Sequence, residues 1–294
     1  MLSKETEAPT PSFDIPKKCE AGVVVNEGPD FHFEIRDVDV PEVGQNECFI
    51  KLNATGLCLS DVHFMSNDWN VPKMAEMGVQ CAGHEDTGII VKVGSNVKNL
   101  KIGQRAGFKP IENTCLVDFT VTVQKYPSKR CGILAVAMGL RPVVVDTGDE
   151  KRKLALEMGA EHFVGFKESK DPVAEVITLT EGGGHAVFCT AAPSYPTAQK
   201  YPGLRAGGQL IIGLPAAGKF HIDVDPTHMV FRGQSVKGTL VGSMAEIDET
   251  LDFARRGKLW LTPMVMGLSK FNESVQKLKR GEVAGRIVVD FNME

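Results

Sequence analysis

The chain has 294 residues, enough for two domains, with the 43% apolar and 24% charged content of an ordinary globular protein. A net charge of -4 gives no electrostatic support for a nucleic-acid partner, and no apolar run reaches the roughly 18 residues of a membrane span. Seven cysteines are scattered without paired spacing, so free thiols and a cytoplasmic location are expected, and the polar opening MLSKETEAPTPSFDIPKK does not read as a secretory signal.

Residues 1–18 read as a loose arm. CEAGVVV (19–25) and FHFEIRDV (31–38) read as a strand pair across the turn NEGPD. CFIKLNA (48–54) alternates apolar and polar residues and predicts a strand leading into GLCLSDVHFMSNDW. TGIIVKV (87–93) predicts a further strand, and VKNLKIGQRAGF continues a small β-barrel-like domain. In KPIENTCLVDFTVTVQKYPSKRCG (109–132), DFTVTV is a possible strand and KYPSKR a turn or linker. From Val143 the pattern changes. Val143–Val145 is an unbroken β-branched run, as in a buried parallel strand, and Asp146 ends it. Helices are predicted over 150–158, with Gly159 as C-cap, and over 171–180, 195–204 and 244–256. Strands are predicted over 163–166, 186–189, 207–214 and 236–240, and residues 270–291 read as helix then strand. This alternation implies a parallel sheet with helices on both faces.

The chemistry concentrates in residues 56–85. Cys58, His63, His84 and Glu85, with Asp61, supply the thiol, imidazole and carboxylate donors that a borderline-soft divalent ion such as zinc prefers. Cys58 offers a thiolate and His84 a neutral imidazole. Asp61 suits a hydrogen bond that holds a ligand in place, and Ser60 and His63 suit the passage of a proton from an alcohol to solvent. A plain glycine-bounded turn is the alternative, because the four-cysteine spacing of a structural zinc site is missing. In the second half, an acid closing the second strand of such a sheet pairs with the adenosine ribose diol and favours NAD over NADP. Asp146 fits that role, with Lys151 grouped beside it, or else it opens a turn with Thr147 and Gly148.

The motif G-x-C-x-S-D-x-H followed by G-H-E resembles the catalytic zinc segment of medium-chain, zinc-type alcohol dehydrogenases, and the similarity extends over most of the chain. The resemblance implies Cys58 and His84 as zinc ligands and Glu85 as a neighbour or alternate ligand. It implies Asp61 behind them and Ser60 to His63 as a proton relay. It also implies a Rossmann-like sheet domain over 131–264 beside a β-rich GroES-like catalytic domain over 19–130, completed by 265–294. Arg286 matches an arginine on the cofactor phosphates, with a surface arginine beside a strand as the alternative; Thr190–Ala192 and Leu240–Ser243, Ala192 and Leu240 among them, match segments near the nicotinamide, with plain strand ends as the alternative. Trp69 follows the relay and is a candidate for the substrate pocket or for the core. The function implied is NAD-dependent, zinc-assisted interconversion of an alcohol and a carbonyl compound, with no membrane partner and with a homo-oligomer allowed.

The chain departs from this pattern in four places. Leu59 stands where many relatives carry His or Arg near the pyrophosphate. Cys115 begins no four-cysteine zinc loop. No second cysteine ligand occurs between Phe119 and Arg130, and Cys131 falls inside the first helix of the cofactor domain. No glycine-rich turn precedes Asp146 by about 20 residues, although that is where backbone N–H groups would meet the pyrophosphate. The run Gly182–Gly184 is no substitute, because it precedes a strand instead of following one. The first strand of the sheet and its phosphate loop are therefore expected to be missing, within an internal gap of about fifty residues. A catalytically impaired remnant, serving at most as a binding or dimerisation module, is the alternative function.

Overall fold

The computed structural model describes residues 11–81, 83–107, 131–213, 218, 220–259, 261 and 263–294. The readings made above for Cys115 and for 119–130 lie outside them. The chain divides into two compact units, Met1–Glu112 with Pro263–Glu294, and Asn113–Thr262.

The first unit opens with strands β1 (Lys18–Val25) and β2 (His32–Asp39), paired antiparallel from Lys18↔Asp39 to Val25↔His32. Strand β3 (Cys48–Gly56) leads into helix α1 (Leu59–Met65), and β4 (Asp86–Val93) and β5 (Arg105–Gly107) follow. Helix α1 was not expected from the sequence. Its signal is a capping box: Cys58 is the N-cap, and the Asp61 carboxylate accepts the Cys58 N–H at 3.1 Å.

The second unit holds α2 (Cys131–Ala137), β6 (Val143–Asp146), α3 (Asp149–Glu157), β7 (His162–Gly165), α4 (Pro172–Leu179), β8 (Ala186–Cys189), α5 (Tyr195–Ala198), β9 (Gln209–Ile212), α6 (Pro226–Arg232), β10 (Ser235–Gly238) and α7 (Met244–Arg255). Its caps follow from the sequence. Asp171 and Asp225 each accept two N–H groups of the next turn ahead of a proline, and Ser243 and Glu246 form a capping box. The helix expected over 195–204 is only the turn α5. Pro202 lacks an N–H to continue it, and Gly203 takes φ +55°. Strands β6 and β7 pair parallel, and β8, β9 and β10 form a separate parallel sheet in the order β10-β9-β8. In a doubly wound sheet of order 3-2-1-4-5-6, the first strand lies between the second and the fourth. Here that place lies between β6 and β8, and no strand joins these two among the described residues.

The chain then returns to the first unit with β11 (Met264–Gly267), α8 (Phe271–Lys279) and β12 (Ile287–Asp290). The five-stranded sheet runs β11-β12-β3-β4-β5. Helix α8 buries Phe271, Ser274, Val275 and Leu278, the i, i+3, i+4, i+7 stripe of an amphipathic helix. These side chains share a core with Phe31, Phe33, Leu57, Val62 and Met65, so α1 is clamped between the start of the unit and its C-terminal return. In the second unit Cys189, Ala192, Tyr195, Ala198 and Leu210 pack together beneath the three-stranded sheet.

Candidate metal centre

Three neighbouring strands converge on one corner of the first unit. Pairing of β3 with β4 sets Thr55 opposite Asp86, and the Gly56 N–H donates to the Glu85 carbonyl at 3.0 Å. Strand β12 lies on the other side of β3, with Val288 opposite Gly56 and the Leu57 N–H bonded to the Ile287 carbonyl at 3.0 Å. The end of β3 (Gly56, then Cys58), the entry to β4 (His84, Glu85) and the entry to β12 (Arg286) are thereby brought together.

Cys58 Sγ, a ring nitrogen of His84 and a carboxylate oxygen of Glu85 lie within 4.8 Å of one another. That is close to the span of two zinc bonds of about 2.0–2.3 Å each. Sulfur, nitrogen and oxygen donors from half-buried side chains fit a divalent ion of zinc's character. The second thiolate implied by the resemblance has no counterpart in this cluster among the described residues, and the third group that lies there is Glu85.

Asp61 is buried at the first turn of α1, and its two oxygens do different jobs. Oδ2 accepts the Cys58 N–H, and Oδ1 meets His84 Nδ1 at 2.6 Å. This fixes the imidazole and leaves Nε2 for Cys58. Burial by itself pushes the Cys58 thiol up. The hydrogen bond from His84, the N–H and hydroxyl of Ser60, and the charge of the imidazolium outweigh it and bring the thiol down to about 6. His84 is raised to about 10, first by the hydrogen bond to Asp61 and then by that to Cys58, against desolvation. Near neutral pH the metal-free corner therefore pairs a Cys58 thiolate with a His84 imidazolium. A metal ion held here would take the place of the proton on His84 Nε2.

Ser60 Oγ lies 3.6 Å from Cys58 Sγ. His63 points elsewhere. Its Nδ1 meets Asp68 Oδ2 at 2.6 Å, and its ring lies 5.6 Å from that of Trp69. No direct hydrogen bond joins Ser60 to His63 among the described residues, so a relay between them requires a bridging hydroxyl or water. Asp68 was not singled out in the sequence; a carboxylate one turn beyond a relay histidine was the available signal. Leu59 packs against the apolar core of the unit. Arg286, matched above to a cofactor phosphate contact, has its guanidinium paired with the Glu85 carboxylate, and both side chains are largely covered.

In the second unit Asp146 is the last residue of β6. Its Oδ1 accepts the Thr147 N–H at 2.7 Å and Lys151 Nζ at 3.0 Å. Ala192 and Leu240 lie just beyond the C-terminal ends of β8 and β10. All three positions are on the C-terminal edge of parallel strands, where ligands of open α/β sheets bind.

Comparison with known proteins agrees with both halves. Residues 44–148 match the alcohol dehydrogenase GroES-like domain, and residues 131–256 match the zinc-binding dehydrogenase domain. Alcohol dehydrogenase 1 of Neurospora crassa is 30% identical, with 95% of this chain and 99% of that protein covered. Alcohol dehydrogenase 2 of Caenorhabditis elegans is 29% identical over 88% of this chain and 93% of its own length. Among solved structures, the alcohol dehydrogenase of Aeropyrum pernix shares the fold with a TM-score of 0.72 at 20% identity, covering 92% of this chain and 100% of its own. Benzyl alcohol dehydrogenase of Acinetobacter calcoaceticus shares it with a TM-score of 0.74 at 15% identity, covering 92% and 99%. A GroES-like unit carrying a zinc-type donor set, joined to a Rossmann-like unit, defines a zinc- and NAD-using oxidoreductase. This chain belongs to the zinc-type medium-chain alcohol dehydrogenase family. The Neurospora alignment spans 357 positions against 294 residues here, and the difference of 63 is the least number that face no residue of this chain. Nothing in these likenesses favours the impaired remnant.

Proposed function

We propose that this chain interconverts a primary or secondary alcohol with the matching aldehyde or ketone, using NAD, and that Cys58, His84 and Glu85 hold its metal ion. The observation that carries this reading is the convergence of three different donor atoms within 4.8 Å, with Asp61 fixed behind His84. A bound zinc ion supplies Lewis acidity that favours the ionised alcohol, and bound NAD accepts the hydride. The chain's own residues do the rest. Asp61 sets the imidazole and holds the Cys58 backbone. Ser60, beside Cys58, receives the substrate proton, and His63, paired with Asp68, carries it outward through a bridging hydroxyl or water. Asp146 and Lys151 meet the ribose on the second unit, which spans 131–264 as a dinucleotide-binding domain, while 19–130 with 265–294 form the catalytic domain.

Cys19, Cys48, Cys58, Cys81 and Cys189 are free thiols, and the proposed metal pair needs Cys58 reduced. Both facts support a cytoplasmic setting. No helix among the described residues is long and apolar enough to cross a membrane. The test is metal analysis of the purified chain together with alcohol-dependent formation of NADH. Near-stoichiometric zinc with turnover supports the reading, and zinc well below one per chain refutes it.

A further inference from the structure

We propose that Arg286 and Gly56 form a seat that holds the Glu85 carboxylate in the third-ligand position, with Arg286 acting as a positioning residue. The proposal rests on the metal-site reading above and goes a step further, to what makes a carboxylate serve where a second thiolate is lacking.

Two observations carry it, both on the placement of the Glu85 carboxylate. The first is charge. The Arg286 guanidinium pairs with Glu85 Oε2, and both side chains are largely withdrawn from solvent. A carboxylate has a second oxygen, so holding Oε2 leaves Oε1 to face a cation. The second is space. A Cβ added at Gly56 would collide with the Glu85 carboxylate and lie 3.2 Å from its Cβ. Gly56 does not have the left-handed φ that would itself demand glycine. Its lack of a side chain is explained by the Glu85 group lying over it. The sheet builds this seat, because β12 and β4 flank β3 and deliver Arg286 and Glu85 to either side of Gly56.

Two effects of Arg286 oppose each other. Its positive charge repels a nearby dication, while its fork fixes a ligand that would otherwise rotate. Groups that hold metal-binding side chains by hydrogen bonds typically contribute about 10–100-fold to metal affinity, and the geometry here favours that second effect.

The test titrates the metal-free full-length protein with Co2+. Thiolate-to-cobalt absorption reports Cys58, and the ligand-field bands report coordination. Arg286→Gln should weaken Co2+ binding by about 10–100-fold and alter the ligand-field bands. In a Glu85→Gln background the same substitution should have no further effect. Gly56→Ala, which keeps every charge, should weaken binding in the same direction and provides the answer if Arg286→Gln fails to fold. Unchanged or tighter binding by Arg286→Gln overturns the seat, as does an equal loss in the Glu85→Gln background. Absence of the thiolate band in the unaltered protein overturns the metal-site reading itself, and the seat with it.

Discussion

Replacing Asp61 with Asn is the most informative single change at this corner. Asp61 accepts from both sides, the Cys58 N–H on Oδ2 and His84 Nδ1 on Oδ1 at 2.6 Å. Asn has one acceptor oxygen, so one of the two donors would face an NH2 group instead. The rise of His84 from 6.5 to about 10 corresponds to at most about 5 kcal/mol of favourable interaction. That figure is shared with Cys58 and reduced by solvent screening at a ring whose side chain is 20% exposed. Asp61's part is then about 2 kcal/mol, in line with one charge-assisted hydrogen bond at about 1.5–3 kcal/mol. Asp61→Asn should therefore lower the unfolding free energy of the metal-free protein by about 2 kcal/mol at pH 7–8, measured by urea denaturation. The sign of the pH dependence follows from the raised imidazole. Its contribution is full below about 6.5, declines above that and is gone past about 10, so the deficit of the variant should shrink as pH approaches 10. Zinc affinity should fall by about 10–100-fold as His84 loses its orienting partner. A variant within 0.5 kcal/mol of the parent, flat with pH and with unaltered zinc affinity, would refute the arrangement argued here; surface substitutions stay within about that margin.

Zinc binding at pH 8 should release about one proton, from His84, because Cys58 is already a thiolate there. Below about pH 6, where the thiol regains its proton, the release should approach two, and calorimetry in buffers of differing ionisation enthalpy reads both numbers. Ser60→Ala should reduce alcohol oxidation by about 10²–10⁴-fold with zinc content intact. Asp68→Asn, which loosens His63 alone, should cost less, and steady-state assays on metal-loaded protein would separate the two. NAD should bind at least about tenfold more weakly than to a relative with a glycine-rich phosphate turn, since losing one or two charge-assisted bonds costs at least about 1.4 kcal/mol. Micromolar affinity by calorimetric titration would contradict this.

How much was legible in the sequence depended on whether a feature was local. The strand pair across NEGPD, the β3 strand and the βα alternation after Val143 follow from side-chain periodicity, and they form at the expected places. The Cys58, Ser60, Asp61 and His63 group was visible because its members share one short motif. Helix α1 was missed, because its N-cap is a cysteine and its capping box therefore did not resemble the usual serine or threonine pattern. The Arg286–Glu85 pair was missed for a different reason. It is made by sheet order, which brings β12 beside β3, and no window of sequence contains both residues. The role of Gly56 was hidden in the same way, since it depends on which side chain lies over it.

Sheet order also predicts that the two halves of the site would respond differently to missing chain. The metal half is made where β12, β3 and β4, three consecutive strands of one continuous sheet, meet. Pairing of β3 with β4 and β12 is what brings Cys58, His84, Glu85 and Arg286 together. The cofactor half has no such closure. Asp146 ends β6 in a two-stranded sheet, while Ala192 and Leu240 follow strands of a separate three-stranded sheet. In the doubly wound order, the strand between those two pieces carries the turn that meets the pyrophosphate, so it aligns the ribose acid with the nicotinamide edge and also binds the phosphates. A shortfall at that strand thus removes a ligand and the ruler between two others. Loss of chain there should weaken NAD far more than zinc. Comparing the metal and NAD affinities of this chain with those of an intact relative measures that asymmetry directly.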